Sequence, residues 1–249
     1  MPVIPAGLEP FMLSASYVPT VLLAGAIWWA SGLAGLPVAK RAVAWLVAMA
    51  VLVSWQWLGE TLARAGVFIN APDSFGPWLG IAIVLPVIIG LAGIAASPTA
   101  RRIVEATPLW ALVAIQVYRV LGAVFLVLWG AGHLPGAFAL PAGIGDVATG
   151  LAAPIVGYTI ARWPDKLRDV VWWNAFGIAD LVVAVTTGFL TSPGVTQLLA
   201  LDAPNRLITA YPLALVPLYA VPVSLILHGL VWQRLGARRS AAIAHPVVE

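Results

Sequence analysis

Cysteine is absent from the 249-residue chain, which excludes disulfides, thiolate metal sites, iron–sulfur clusters and cysteine nucleophiles. Histidine is almost absent too, with only His133, His228 and His245. Charge is scarce: Asp, Glu, Lys and Arg make up 9% of residues, against roughly 25% in a soluble domain. That excludes a water-soluble globule of this size. GxGxxG with a distal acid, the Walker A loop and HExxH do not occur either. The expectation is no cofactor and no metal.

What the chain has is apolar length. Hydrophobic residues make up 61% and the mean hydropathy is +0.97. Seven runs, at about 11–31, 42–59, 77–97, 108–130, 139–161, 170–191 and 209–232, are each long enough to cross a ~30 Å hydrocarbon core. The reading is an all-α, polytopic transmembrane helix bundle of seven spans, a single domain over 1–249. Its connections (SGLAGLP, NAPDSFGP, GHLPG, LDAPN) are Gly-, Pro-, Asp- and Asn-rich, as chain reversals at a membrane surface require. Glu9 and the lack of a basic n-region mark span 1 as a retained helix rather than a cleaved signal peptide.

Basic residues orient the bundle. Lys40, Arg41, Arg101, Arg102, Arg162, Lys166, Arg168, Arg234, Arg238 and Arg239 fall on one side, and Arg64 and Arg206 on the other. The positive-inside rule then puts the N-terminus outside and the C-terminus in the cytoplasm, in a bacterial inner (plasma) membrane. A pI near 9.6 follows from this topology and is no sign of nucleic-acid binding. Trp28, Trp29, Trp78, Trp129, Trp163, Trp172, Trp173 and Trp232 sit near span ends, where indoles favour the interface.

Chemistry is sought where charge interrupts the apolar runs. At ~1.5 Å per residue, Arg119 lies about 16 Å into span 4, Asp180 about 16 Å into span 6, and Asp146 at a matching depth in span 5. A charge at mid-membrane costs at least ~2.5–3.5 kcal/mol. The three should therefore face inward, with Arg119 paired to at least one Asp. One Arg and two Asp sum to −1, so one Asp is expected to hold a proton. Asp146 shares a helix face with Gly150, Ala153 and Gly157, and Asp180 with Trp173, Gly177, Ala184 and Thr187. Gln116 lies one turn below Arg119, and Tyr219 reaches a similar depth among Pro212, Pro217 and Pro222.

Weaker candidates follow. Gln56 and Glu60 form an i, i+4 polar pair in the outer part of span 2, lining a vestibule or simply meeting water. Asn174, in WWNAFGIAD, reads as an interhelical hydrogen-bonding group more than a substrate ligand. His133 and His228 fall towards opposite sides and read as interfacial histidines. Arg234, Arg238 and Arg239 read as an anchor to anionic lipid. The last span carries no lysine for a retinal Schiff base.

The stretch QVYRVLGAVFLVLWGAGHLPGAFALPAGIGD, then WWNAFGIADLVVAVTTGF and the Pro-rich last span, resembles a group of uncharacterised bacterial multi-pass membrane proteins over roughly residues 110–235. The resemblance implies an independent integral membrane protein and no activity. Membrane-bound terpene cyclases are similar in length and helix number. Glu60 sits in the second span as their acid does, but in WLGETL rather than a Trp–Glu pair, and the last span lacks their acid. The functional expectation is a proton-linked small-molecule or ion transporter using Arg119, Asp146 and Asp180. The alternatives are an intramembrane enzyme on an isoprenoid- or lipid-like substrate and an accessory or assembly subunit. Expected partners are the lipid bilayer, a small-molecule or apolar ligand, and a second copy or membrane partner, with no nucleic acid.

Overall fold

A computed structural model describes residues 4–70 and 76–244, with side chains to residue 237. The side chains of Arg238 and Arg239, the whole of His245, and most of the NAPDSFGP loop lie outside the described residues. Seven helices are long and apolar enough to cross a membrane. They are α1 (Leu8–Leu33), α2 (Val38–Arg64), α3 (Trp78–Ala96), a composite fourth span (Leu109–Gly130), α7 (Gly136–Arg162), α8 (Leu167–Thr191) and a composite last span (Val216–Ala237). The short α4 (Pro98–Ala106) is not a span.

α4 escapes a search for apolar runs because it is amphipathic. Ser97 caps it by accepting from the Ala100 N–H, Pro98 opens it, and Ile103 turns inward while Arg101 and Arg102 are exposed. Proline at the first helical turn loses no hydrogen bond, because those N–H groups have no helical partner.

Two spans depart from regular helix, both around the buried charges. The fourth span runs as α5 (Leu109–Ala114), a 3-10 segment (Ile115–Gly122) and α6 (Ala123–Gly130). A 3-10 run of this length is uncommon, and its three-residue period stacks i and i+3 on one face. Gln116, Arg119 and Gly122 therefore align, and all three are buried. The last span opens with a π turn (Val216–Ala220) before α9 (Val221–Ala244). It starts seven residues later than the apolar run implies, since Thr209–Leu215 is mostly turn. A regular helix running from Thr209 would need the Pro217 N–H for its interior, and proline has none.

Glycine sets how closely the inner helices approach. Gly143, Gly150 and Gly157 recur every seven residues on α7 and face the fourth span. A Cβ on Gly150 would lie 2.6 Å from the Val120 nitrogen, and one on Gly157 would lie 3.0 Å from the Trp110 carbonyl oxygen. Small residues at this spacing let helix backbones meet in lipid, where apolar burial gives no drive. α7 thus packs along the whole fourth span and against α8, while α9 contacts α3, α5 and α8. By contrast α2 and α3 are only 11% buried along their apolar windows, against 61% for the last span. Their exposed Val, Leu and Ile match a lipid-facing surface.

Side-chain contacts sort the two ends. At one, Arg41 donates to the Trp28 carbonyl at 3.1 Å and lies over its ring, Arg102 reaches Gly35, and Arg234 donates to the Glu105 carbonyl. At the other, Arg64 meets Glu9 and Tyr211. Trp28, Trp29, Trp78, Trp129, Trp163, Trp172 and Trp232 are exposed near span ends. Trp173 is a correction: it is buried, and its indole N–H donates to the Thr149 carbonyl at 3.0 Å.

Candidate functional site

Arg119, Asp146 and Asp180 meet in the bundle interior. Arg119 is brought by the 3-10 segment, Asp146 by α7 and Asp180 by α8. Arg119 Nε and Nη2 each lie 2.8 Å from Asp146 Oδ1, and Nη2 also donates to Asp180 Oδ2. Nη1 donates to the Gly177 carbonyl at 3.3 Å and contacts His228 Nε2 at 3.1 Å. A guanidinium has five N–H donors; four make hydrogen bonds here, and Nη2 also lies at salt-bridge distance from Asp146. Arg119 is thus a buried cation held by protein groups, its side chain 2% exposed.

His228 is the residue that reading along the chain misplaces. It is fully buried rather than interfacial. Because Arg119 can only donate, His228 Nε2 must accept, which leaves the ring proton on Nδ1. That proton is donated to Asn174 Oδ1 at 2.8 Å, and Asn174 Nδ2 donates back to the His228 carbonyl at 3.3 Å. The chain Asn174–His228–Arg119 is therefore ordered in one direction, with neutral imidazole in the middle. Trp173 packs against the imidazole at 5.1 Å between ring centres. The missed signal was modest: a histidine among apolar residues of a buried span, one helix away from WWN.

Glycines make room for these side chains. A Cβ on Gly122 would run into the Asp146 carboxyl, one on Gly145 into Asp180, and one on Gly177 into the His228 ring. The G-rich composition of spans 4 to 6 thus serves the charged cluster as well as helix packing.

The two carboxyls are not equivalent. Asp146 Oδ1 takes both contacts from Arg119, while Oδ2 has no hydrogen-bond donor among the described residues. Asp146 lines two narrow cavities, of about 50 and 40 Å³. The larger runs between α1, the 3-10 segment and the last span, with the hydroxyls of Ser16, Tyr118 and Ser224 on its wall. The smaller is apolar, flanked by Ile83, Phe125 and Phe138. Asp180 lines neither and is the more buried, its side chain 5% exposed against 15% for Asp146.

The remaining candidates divide. Tyr219 and Gln56 join a second buried network: Thr20 Oγ1 is 2.6 Å from the Tyr219 hydroxyl and donates to Gln56 Oε1 at 3.0 Å, and Gln56 Nε2 donates to Ser16 Oγ at 3.0 Å. Glu60 does not share that environment with Gln56. It pairs with Arg64 at 2.9 Å, at the end of the bundle where Arg64 also meets Glu9 at 3.2 Å. Gln56 faces α1 and Glu60 faces its own helix end, so the i, i+4 spacing does not make one site. Gln116 is fully buried with both amide atoms unpartnered, and the Thr149 hydroxyl is likewise unpartnered.

Residues 76–236 match the family described as Domain of unknown function (DUF8737). The match holds the whole Arg119–Asp146–Asp180–His228 cluster and leaves out α1 and α2, with Ser16, Thr20, Gln56 and Glu60. No curated protein and no solved structure matches the chain. The chain belongs to this family, and the match spans five of its seven membrane-length helices.

Proposed function

We propose that the protein is a proton-linked carrier of a small ion or molecule, inserted in a bacterial plasma membrane with its N-terminus outside and its C-terminus in the cytoplasm. The observation that carries the reading is the asymmetry between the two aspartates. Arg119 and two carboxylates sum to −1 in a medium where an uncompensated charge is costly. A proton on one carboxyl removes that charge. Asp146, which lines both cavities and whose Oδ2 has no hydrogen-bond donor among the described residues, is the carboxyl able to exchange it. Most of Arg119's N–H groups are already taken by protein acceptors, which suits the role of a fixed counter-charge better than that of a substrate ligand. Asp180 and His228 hold it in place.

The orientation rests on the positive-inside rule. Lys40, Arg41, Arg101, Arg102, Arg162, Lys166, Arg168 and Arg234 define the cytoplasmic end, and Arg64, beside Glu9, the outer one. Cavities of about 50 Å³ hold a few waters or a small ion. They give no support to an enzyme acting on an isoprenoid chain.

The decisive measurement is the infrared C=O stretch of a protonated carboxyl in lipid-reconstituted protein at neutral pH. The band is expected in the parent and lost in both Asp146→Asn and Asp180→Asn, since either change leaves one carboxylate paired with Arg119 and a neutral cluster. Asp146→Glu should shift its frequency and Asp180→Glu should not, which assigns the proton to Asp146. In parallel, proton entry into vesicles under an imposed pH gradient, with sodium, potassium, ammonium or chloride supplied in turn, should fall in Asp146→Asn. A parent protein without the band overturns the proton-linked reading.

A further inference from the structure

We propose that the larger cavity is a water-sized access route to Asp146, reached from the Glu9 end of the bundle and capped there by the Arg64 network. The species it delivers is a proton or a small ion, not an organic solute. The proposal rests on the carrier reading above and adds to it the route and the size class of what travels.

The cavity wall is made by α1 through Met12, Ser16 and Pro19 and by the last span through Leu215 and Ser224, and it descends to Arg119 and Asp146. Glu9 lies one helical turn before Met12, and Tyr211 lies four residues before Leu215. These two residues extend the two walls outward, and they are tied together. The Tyr211 hydroxyl donates to Glu9 Oε1 at 2.9 Å, and Arg64 Nη2 donates to both Glu9 and the Tyr211 hydroxyl. The Arg64 guanidinium lies 3.9 Å from the Tyr211 ring centre, and its Nε reaches Glu60 at 2.9 Å. Below this tie the buried Met12 and Leu215 line the cavity. Beneath them the hydroxyls of Ser16, Tyr118 and Ser224 supply polar steps, the last two 2.7 Å apart.

The strength of the cap suits a gate. Arg64 and Glu9 are nearly half exposed, and exposed ion pairs hold only weakly. A network of that kind keeps α1 and the last span together most of the time without preventing their separation. The wall hydroxyls are few and the volume, about 50 Å³, is that of a few waters, which sets the size limit.

The absence of native cysteine gives a clean test in the full-length, lipid-reconstituted protein. A single Ser16→Cys reporter is treated with silver ion, a thiol reagent small enough for such a route, and the rate of thiol loss is followed. With the cap intact, modification should be slow. Adding Arg64→Gln should raise the rate by about 1.5- to fivefold, the population shift from losing an exposed charge network. Tyr211→Phe, which removes one hydroxyl, should raise it less. A reporter at the exposed loop position Ala203→Cys should keep its rate in both backgrounds. Should neither Arg64→Gln nor Tyr211→Phe alter the Ser16→Cys rate, the capped route is wrong. Where Arg64→Gln does not fold, Tyr211→Phe decides alone. The infrared band reports the proton and the labelling rate reports the route, so either can fail without the other.

Discussion

The molecule contains the same charge set twice, in opposite surroundings. Arg119 meets Asp146 and Asp180 inside the bundle, with side chains 2%, 15% and 5% exposed. Arg64 meets Glu9 and Glu60 at one end, with side chains 47%, 46% and 19% exposed. Each is one guanidinium with two carboxylates, drawn from three helices inside and from two at the end. Water screens the outer set, so its surplus negative charge is tolerated and its net worth is small. The inner set meets solvent-sized space only beside Arg119 and Asp146 and draws its partners from the protein, which explains the four hydrogen bonds that Arg119 makes to buried acceptors. Even the tyrosine of the outer set shows the difference in scale. Burial, together with its hydrogen bond to Glu9, holds the Tyr211 phenol above its ordinary range, so it remains a donor to that carboxylate.

Removing the arginine from each set should separate them most. Arg119→Met leaves two buried carboxylates facing each other and should cost about 3–5 kcal/mol of stability. Adding Asp146→Asn and Asp180→Asn should recover much of that loss. Arg64→Gln should cost only ~0.2–1 kcal/mol, and the cost should shrink as salt rises, since the outer pairs are screened and the inner ones are not. Reversible unfolding in mixed detergent, at two ionic strengths, reads both. Equal losses for the two arginines would mean that burial does not distinguish the sets.

A smaller effect sharpens the comparison from the side of space. Gly145→Ala brings a methyl group against the Asp180 carboxyl, and overpacking of this kind costs about 1–3 kcal/mol. Gly93→Ala, on α3 with nothing within 4 Å of the new Cβ, should change stability by less than about 1 kcal/mol, and in the favourable direction given alanine's helix propensity. The same unfolding assay compares the two. A neutral Gly145→Ala would mean that Asp180 can move aside without loss.

The inner cluster was legible in the chain because charge in an apolar background is conspicuous. Arg119, Asp146 and Asp180 are the ionisable groups deep in spans 4 to 6 whose partner is not a neighbour in sequence, and the cost of leaving them in lipid forces them together. His228 was not legible in the same way. A histidine near a span end is neutral enough to sit at an interface, and only the crossing of the last span over α8 brings its Nε2 to Arg119. Trp173 misleads for a related reason: indoles gather at interfaces, yet this one is needed inside to cover the imidazole and cap the Thr149 carbonyl. Gln56 and Glu60 looked like one feature because they are four residues apart on a helix. They are separated because one faces α1 and the other reaches the helix end.

The sequence by itself determined the class of molecule, the number of spans and the need for a buried salt-bridge cluster. Those follow from transfer free energy, which depends on composition along the chain and not on which helices are neighbours. Tertiary structure decided the rest: the 3-10 segment aligning Gln116, Arg119 and Gly122, the π turn opening the last span, and the His228–Asn174 link. It also decided which aspartate faces the cavities. Each of these depends on how closely two backbones approach, and that distance is set by glycines on one helix meeting the irregular backbone of another.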